Sequence, residues 1–496
     1  MAAKPSKAVP PGPPASDGGW APHRARLARL AQLETRLARQ GDASEATGLE
    51  IERAALLSAL DRRDEAKLAF IAILRKAPTN FDALNQFGAL LTEMGAIDAA
   101  CRVYAEAILH HPQNPAGHVN LANLLLRATR YQEARGHYER ALAIDPDHAP
   151  AHQGLGAVLT DLGDRIGGQQ HFRKGFRGHA ISTLPYRGDK PLLRLLQLVS
   201  SGGGNIPTAP FLDDMRFETT IVVADHLDPS ARLPPHQLIF NAIGDADLCG
   251  EALERAGVIV ERSTAPVINP PASVRSTGRA ANAVRLAALP DVTAPGIRVL
   301  AKNGLAAAGL QFPLLLRAPG FHTGRHFLRI ERREDLAVGI AQLPGDEVLA
   351  IEYLDARGAD GMARKYRVMI IDGALYPLHL AISTDWKVHY FTADMAANAA
   401  HREEEKRFLI DMAGVIGKRA VAALGAIGKC LGLDYAGVDF GLGPDGALLL
   451  FEANATMVIN PPDPDPVWDY RRAPILAALD AAKRMLLTRA GVRTES

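Results

Sequence analysis

Residues 434–462, DYAGVDFGLGPDGALLLFEANATMVINPP, concentrate side chains able to grip a hard cation. Asp439 closes one apolar run, Gly-Pro-Asp-Gly at 443–446 supplies turn chemistry, and the following run ends in Glu452, Ala453 and Asn454. That pattern predicts a β-hairpin. Side chains alternate across a strand, so Glu452 and Asn454 share a face, and the turn can bring Asp439 beside them. Two carboxylates and an amide are the oxygen ligands that Mg²⁺ accepts alongside phosphate oxygens. The competing reading is a strand end with exposed polar residues. Against it, the apolar LLLF leads the acid inward, where unpaired charge is costly.

The elements around this hairpin read as strands alternating with helices. Short apolar runs broken by Gly and Pro occupy 192–199, 220–225, 237–243, 312–317, 348–354, 366–371 and 447–454. Helical stretches are predicted at 248–256 and 404–432, the second long and amphipathic. An α/β or α+β region of enzyme size follows. The segment SSGGGNIP (200–207) could present backbone amides to a ligand or could simply be a flexible connection.

The first third of the chain has a different period. Pro78, Pro112 and Pro146 repeat every 34 residues, the length of a tetratricopeptide unit. In that register Leu84, Phe87, Gly88 and Leu91, then His118, Leu121, Ala122 and Leu125, then His152, Leu155, Gly156 and Leu159 form one apolar face per first helix. The second helices supply Ala100, Tyr104 and Ala107, then Ala134, Tyr138 and Ala141, a small residue allowing close approach and an aromatic filling the gap behind it. Gly95 and Gly163 mark the turns between helices, and Gly168 replaces the usual Ala in the last unit. The region resembles the tetratricopeptide family over about residues 47–180, with the 47–80 unit degenerate. Such stacks form a concave groove that holds an extended peptide or a helix. Asn85, Asn120 and Asn123 could line it and bind a peptide backbone, or could be merely solvated.

Composition bounds the rest. The 496 residues suggest more than one domain, and 47% hydrophobic with 22% charged residues is ordinary for a globular chain. Lys and Arg total 56 against 55 Asp and Glu, so the net charge of +1 argues against a nucleic-acid binder. Cys101, Cys249 and Cys430 are too scattered for a disulfide framework or a cysteine metal site, which favours a reducing compartment. Lacking a signal-like leader or an 18-residue apolar run, the chain reads as cytoplasmic, with no membrane partner.

The C-terminal motifs resemble those of the ATP-grasp superfamily, in particular its glutathione-synthetase-like and D-alanine–D-alanine-ligase-like members, over roughly residues 190–490. The resemblance implies ATP and Mg²⁺ as cofactors, with Asp439, Glu452 and Asn454 at the metal positions. FPLLLRAPGFHTGRHF is similar to the family's strand and loop over the phosphates, with Arg317 where a lysine is usual and His322, Thr323 and Gly324 in the loop. VLAIEYL looks like the adenine hinge, with backbone groups of Glu352, Tyr353 and Leu354 meeting the base and Asp355 reaching the ribose. KYRVMIIDG would direct Arg367 at the γ-phosphate or an acyl phosphate, and Arg279 falls near another usual lysine. Arginine at 279 and 317 keeps the charge but changes the geometry. Arg317 could instead pair with a surface carboxylate and Arg367 form a strand-edge salt bridge, and His322 could be an ordinary loop histidine. His379 and Lys387 could touch substrate, whereas Trp386 and Tyr390 read as packing residues.

The expected architecture is therefore multidomain: a disordered lead (1–22), an all-α tetratricopeptide superhelix (23–185), an α/β subdomain (189–290) and an α+β ATP-grasp domain (291–490). The implied activity is an ATP- and Mg²⁺-dependent carboxylate–amine or carboxylate–thiol ligase working through an acyl phosphate. Its substrate would be a small-molecule or peptide carboxylate, with the repeats recruiting a peptide or protein. The alternatives are a kinase on the same scaffold and a non-catalytic interaction protein.

Overall fold

Thirty-four residues separate successive first helices at Phe81–Glu93, Pro115–Arg127 and Ala149–Asp161. The second helices, Arg63–Lys76, Ile97–His110, Tyr131–Ile144 and Arg165–Gly175, keep the same step. These bounds come from a computed structural model that describes residues 23–38, 43–188, 193–320, 324–388 and 393–492. The expected lead (1–22), the boundary at 189, His322, Thr323 and Tyr390 lie outside the described residues. The degenerate first unit is helical too: Ala43–Ala59 precedes Arg63–Lys76, and a further helix spans His23–Leu37.

Each helical hairpin turns through a left-handed residue at the same repeat position: Asp61 (φ 62°), Gly95 (76°), Thr129 (60°) and Gly163 (95°). Only two of the four are glycine, so the glycine signal understates the regularity. A β-branched threonine in this region is strained, because its Cβ crowds the backbone. Asn80 and Asn114 cap the next helices by accepting from Ala83 N and Ala116 N at 2.9 and 3.0 Å. Small residues let the helices approach. A Cβ at Gly88 would lie 2.5 Å from the Tyr104 ring, at Gly156 2.7 Å from Phe172, and at Gly154 2.2 Å from Tyr138. Leu90, Leu124, Val158, Tyr104 and Tyr138 belong to one continuous buried cluster. Two positions of the expected apolar face are not apolar: His118 and His152 are buried polar residues.

Compactness divides the chain into two units, the helices through Leu196 with Asp213–Pro235, and Gln197–Leu212 with the chain from His236 onward. The expected boundaries are drawn differently, since no break falls at 290. Ile181–Thr183 pairs antiparallel with Phe217–Val223, which ties that segment to the helical unit.

The second unit is α/β with mixed sheets. Leu238–Asn241 runs parallel to Val267–Ile268. A four-stranded antiparallel sheet has the order Ile297–Ala301, Glu347–Glu352, Leu314–Arg317, Phe327–Ile330. A five-stranded sheet has the order Ala374–Ser383, Ala363–Ile371, Tyr435–Leu442, Leu448–Asn454, Val292–Thr293, the last pair parallel and the rest antiparallel. Helices Ala399–Ile410, Met412–Leu431 and Arg472–Arg489 pack on this sheet. The single helix expected at 404–432 is broken twice: Asp411 leaves helical geometry and its carboxylate accepts from Gly414 N at 2.9 Å to cap the next segment, and Gly417 (φ 81°, ψ 158°) kinks the chain again within Met412–Leu431. No helix among the described residues is long and apolar enough to cross a membrane.

Two substitutions test the repeat packing. Thr129→Gly should raise unfolding stability by about 1 kcal/mol by relieving the left-handed strain. Gly154→Ala should lower it by about 1–3 kcal/mol through overpacking against the buried Tyr138 ring. Thermal unfolding of the two variants reads both signs, and equal effects would contradict the packing described.

Candidate functional site

The hairpin forms as its turn chemistry requires. Gly446, at φ 79°, donates to Gly443 O at 2.9 Å and closes the reversal. Asp439 lies within the Tyr435–Leu442 strand rather than at its end, and it stands directly opposite Glu452, while Gly437 stands opposite Asn454. Arg367 is the partner of Asp439 on the other side, and His379 that of Arg367. One row of facing residues, His379–Arg367–Asp439–Glu452, thus crosses four strands. Like charges placed opposite each other destabilise a sheet unless cations compensate.

Cations do compensate. Arg367 donates to both oxygens of Asp439, Nε at 2.6 Å and an Nη at 2.8 Å, and Lys365 Nζ adds a third contact at 3.1 Å. Asp439 is buried, and burial alone would raise its pKa. Arg367 and Lys365 reverse that and hold the carboxyl well below the ordinary carboxylate range. Burial likewise opposes charge on Arg367, and Asp439 more than offsets it. Glu452 is held by an Arg279 Nη and by Asn454 Nδ2, the latter at 2.8 Å. Asn454 Oδ1 accepts from Thr456 N and Oγ1, each at 2.9 Å, so its amino group is the end turned towards Glu452.

The three expected metal residues are therefore neighbours, with the two acids face to face. The two carboxylates are the hard donors that Mg²⁺ prefers, and Asn454 joins them only by turning its amide oxygen away from Thr456. Among the described residues no group of three or more His, Cys, Asp or Glu side chains could hold a metal, and the third member here is an amide.

Arg279 opens the Arg279–Ala287 helix, with its backbone N donating to Asp247 at 2.9 Å. Burial pushes the Arg317 pKa down and the nearby Arg279 adds to the shift, while Glu452, Asp245 and Asp247 oppose it. Both arginines thus sit in one charged cluster with Glu452. A cleft lined by Asp245, Asp247, Thr277, Arg279, Glu452 and Asn454 opens beside it. Gly324, at φ 71°, accepts from Lys387 Nζ, whose pKa is lowered by burial and by Arg317.

The hinge residues lie farther along the four-stranded sheet. Glu352 ends its strand, and its carboxylate accepts from Gly296 N at 3.0 Å. The Tyr353 ring carries the Arg329 guanidinium 4.1 Å over its face, Leu354 follows, and Asp355 pairs with Arg357 on the surface. Trp386 packs edge-on against Phe327 at 5.4 Å. In the repeats, Asn120 donates to Asn85 and the Tyr138 hydroxyl to Asn123, so these amides bond within the fold.

Sequence reasoning missed Lys365, Asp245, Asp247 and Thr456. Lys365 had a signal, since a residue two before Arg367 shares its face of the strand. The aspartates of Gly-Asp-Ala-Asp (244–247) read as turn residues and gave none.

A tetratricopeptide repeat model matches residues 115–148, one unit of the helical array. The chain therefore carries tetratricopeptide repeats, followed by an α/β region with mixed sheets. No curated protein matches the chain. Among solved structures, MamA 41-end from Desulfovibrio magneticus RS-1 is 19% identical, covering 30% of this chain and 93% of that one, with a TM-score of 0.25. A thermophilic tetratricopeptide protein from Thermus thermophilus is 20% identical, covering 26% and 73%, at 0.25. A tetratricopeptide repeat protein from Parabacteroides merdae is 14% identical, covering 30% and 59%, at 0.28.

The buried pair and a surface pair should respond differently to neutralisation. Asp439→Asn leaves Arg367 and Lys365 facing an uncharged amide and should cost about 3–5 kcal/mol of unfolding free energy. Asp355→Asn, in an exposed pair, should change little. The sign of the pH effect follows from the lowered pKa of Asp439. Its stabilisation is full above its free value of about 3.9 and is lost as pH falls below that. Denaturant unfolding of both variants tests this, and equal losses would contradict it.

Proposed function

We propose that this is a two-part protein whose tetratricopeptide repeats bind a protein or peptide partner and whose C-terminal unit is an ATP- and Mg²⁺-dependent ligase of the ATP-grasp kind. The repeat match and the regular helical hairpins support the first half, since stacked hairpins of this kind present a binding surface. The observation that carries the second half is the opposition of Asp439 and Glu452 across one strand pair, with Arg367, Arg279 and Arg317 close by.

On this reading Asp439, Glu452 and Asn454 would hold Mg²⁺, which supplies charge neutralisation for phosphate oxygens. Arg367 and Arg317 would bind and orient the phosphates, exchanging a carboxylate partner or a charged neighbour for a phosphate. Backbone groups of Glu352, Tyr353 and Leu354 would meet the base, with Asp355 at the ribose. Gly324 and Lys387 would shield the phosphates from water, together with His322 and Thr323 in the same loop. No side chain need act as a nucleophile, because positioning and electrostatics suffice for phosphoryl transfer. A carboxylate oxygen would take the γ-phosphoryl group, releasing ADP and giving an acyl phosphate, and an amine or thiol would then attack the acyl carbon and displace inorganic phosphate to give an amide or thioester.

A second reading keeps only the repeat function. It is favoured by the ion pairs themselves, since Arg367 and Arg279 already satisfy both carboxylates as a structural network would. Calorimetry on the full chain separates the two. The ligase reading expects binding of ATP that depends on Mg²⁺ and is strongly weakened by Glu452→Gln, and no binding at all would leave the repeat-only reading standing. With ATP, Mg²⁺, hydroxylamine and a panel of carboxylates, hydroxamate formation marks a ligase. Phosphate transfer to a hydroxyl without hydroxamate would mark a kinase.

A further inference from the structure

Two successive repeats carry a pair of histidines, one buried and one half-buried, at the same positions of the 34-residue unit. His118 and His137 approach through their Nδ1 atoms at 3.0 Å, and His152 and His171 do so at 2.8 Å. The rings are tilted by 35° and 44° with centres 5.3 and 5.0 Å apart, so they meet through these nitrogens rather than stack. One repeat earlier the same two positions hold Leu84, which is buried, and Val103, which is half-buried against the repeat core. Two copies of this hairpin thus carry imidazoles at two positions where the 81–110 copy has apolar side chains.

The proton count follows from the contacts. His152 Nε2 lies 3.0 Å from Pro146 O and must donate, so the neutral ring accepts at Nδ1 from His171 Nδ1–H. One proton fits between two nitrogens at this distance. A further proton on an outer Nε2 keeps the bond, whereas protonating both Nδ1 atoms sets N–H against N–H and breaks it.

Burial lowers the pKa of all four histidines. His137 and Arg140 add to the effect on His118, Arg140 to that on His137, Lys174 to that on His152, and His152 and Lys174 to that on His171. The opposing groups are Glu133 at His137, the Pro146 carbonyl, Asp147 and Asp145 at His152, and Glu139 and Asp164 at His171. His148, which caps the Ala149–Asp161 helix through Ala151 N, is also lowered by burial and by His152, with Asp145 opposing.

We propose that the His118–His137 and His152–His171 pairs are an acid-sensitive latch, closed while each pair shares one proton between its Nδ1 atoms and released when both Nδ1 atoms of a pair are protonated. Acidification then loosens the 115–175 half of the repeat surface and leaves 63–110 rigid. The sign is fixed by linkage. Folding depresses these pKa values below the free value of about 6.5, so the unfolded segment takes up more protons and stability falls as pH drops below it.

Hydrogen exchange on the full chain, corrected for intrinsic rates, at about pH 7.5 and about pH 5.5 brackets that value. Wild-type protection over 115–175 should fall on acidification relative to that over 63–110. The paired substitutions H118L/H137V and H152L/H171V, which install in both copies the Leu84 and Val103 of the 81–110 repeat, should abolish the difference. Parallel behaviour of the two segments in the wild type, or an undiminished acid loss in the substituted chain, would overturn the proposal. The wild-type comparison decides even where a substituted chain fails to fold.

Discussion

Two carboxylates set face to face in the middle of a sheet are the constraint around which the C-terminal unit is organised. Asp439 and Glu452 would repel each other across the strand pair, and the surrounding chain answers with Arg367 and Lys365 on one and Arg279 on the other. Those cations come from two different elements, a neighbouring strand and the start of the Arg279–Ala287 helix, so the charge balance also fixes that helix against the sheet. Beneath the row, Tyr366 stacks on Phe440 at 5.3 Å and meets Phe408 edge-on, which makes the strand pairing rigid where the charges sit. Well-packed hydrophobic residues of similar volume would often hold such a position as well, whereas removing one partner of the network leaves an uncompensated buried charge.

The N-terminal unit solves a different problem with a different device. Its helices are short and gain little stability individually, so the array depends on close approach at small residues and on aromatic rings that fill the space behind them. Gly88 beneath Tyr104 and Gly156 beneath Phe172 repeat one solution. At a different pair of repeat positions, two copies place a histidine–histidine contact where the 81–110 copy has Leu84 and Val103.

What could be read from sequence follows from range. The 34-residue period and the Gly-Pro-Asp-Gly turn were legible because each depends on residues close together in the chain. The hairpin was legible for the same reason, but the opposition of Asp439 and Glu452 was not, because a bulge between Asp439 and Phe440 shifts the register by one residue from the one the turn alone would give. The turns at Asp61 and Thr129 were hidden because their residues do not advertise a left-handed backbone. His118 and His152 were absorbed into an apolar pattern, because their partners lie on a second helix and the pairing needs the fold to exist. The contact of Arg279 with Glu452 spans 173 residues and leaves no local trace. The first break in the expected 404–432 helix was missed because Asp411 also fits a helix interior by periodicity, and its capping role shows only once its carboxylate meets Gly414 N.

The most direct test is a crystal structure of the full chain with a non-hydrolysable ATP analogue and Mg²⁺. The account predicts the ion between Asp439 and Glu452, with Arg367 and Arg317 turned to phosphate oxygens. Arginines still locked on both carboxylates, with neither nucleotide nor ion in the cleft, would contradict it.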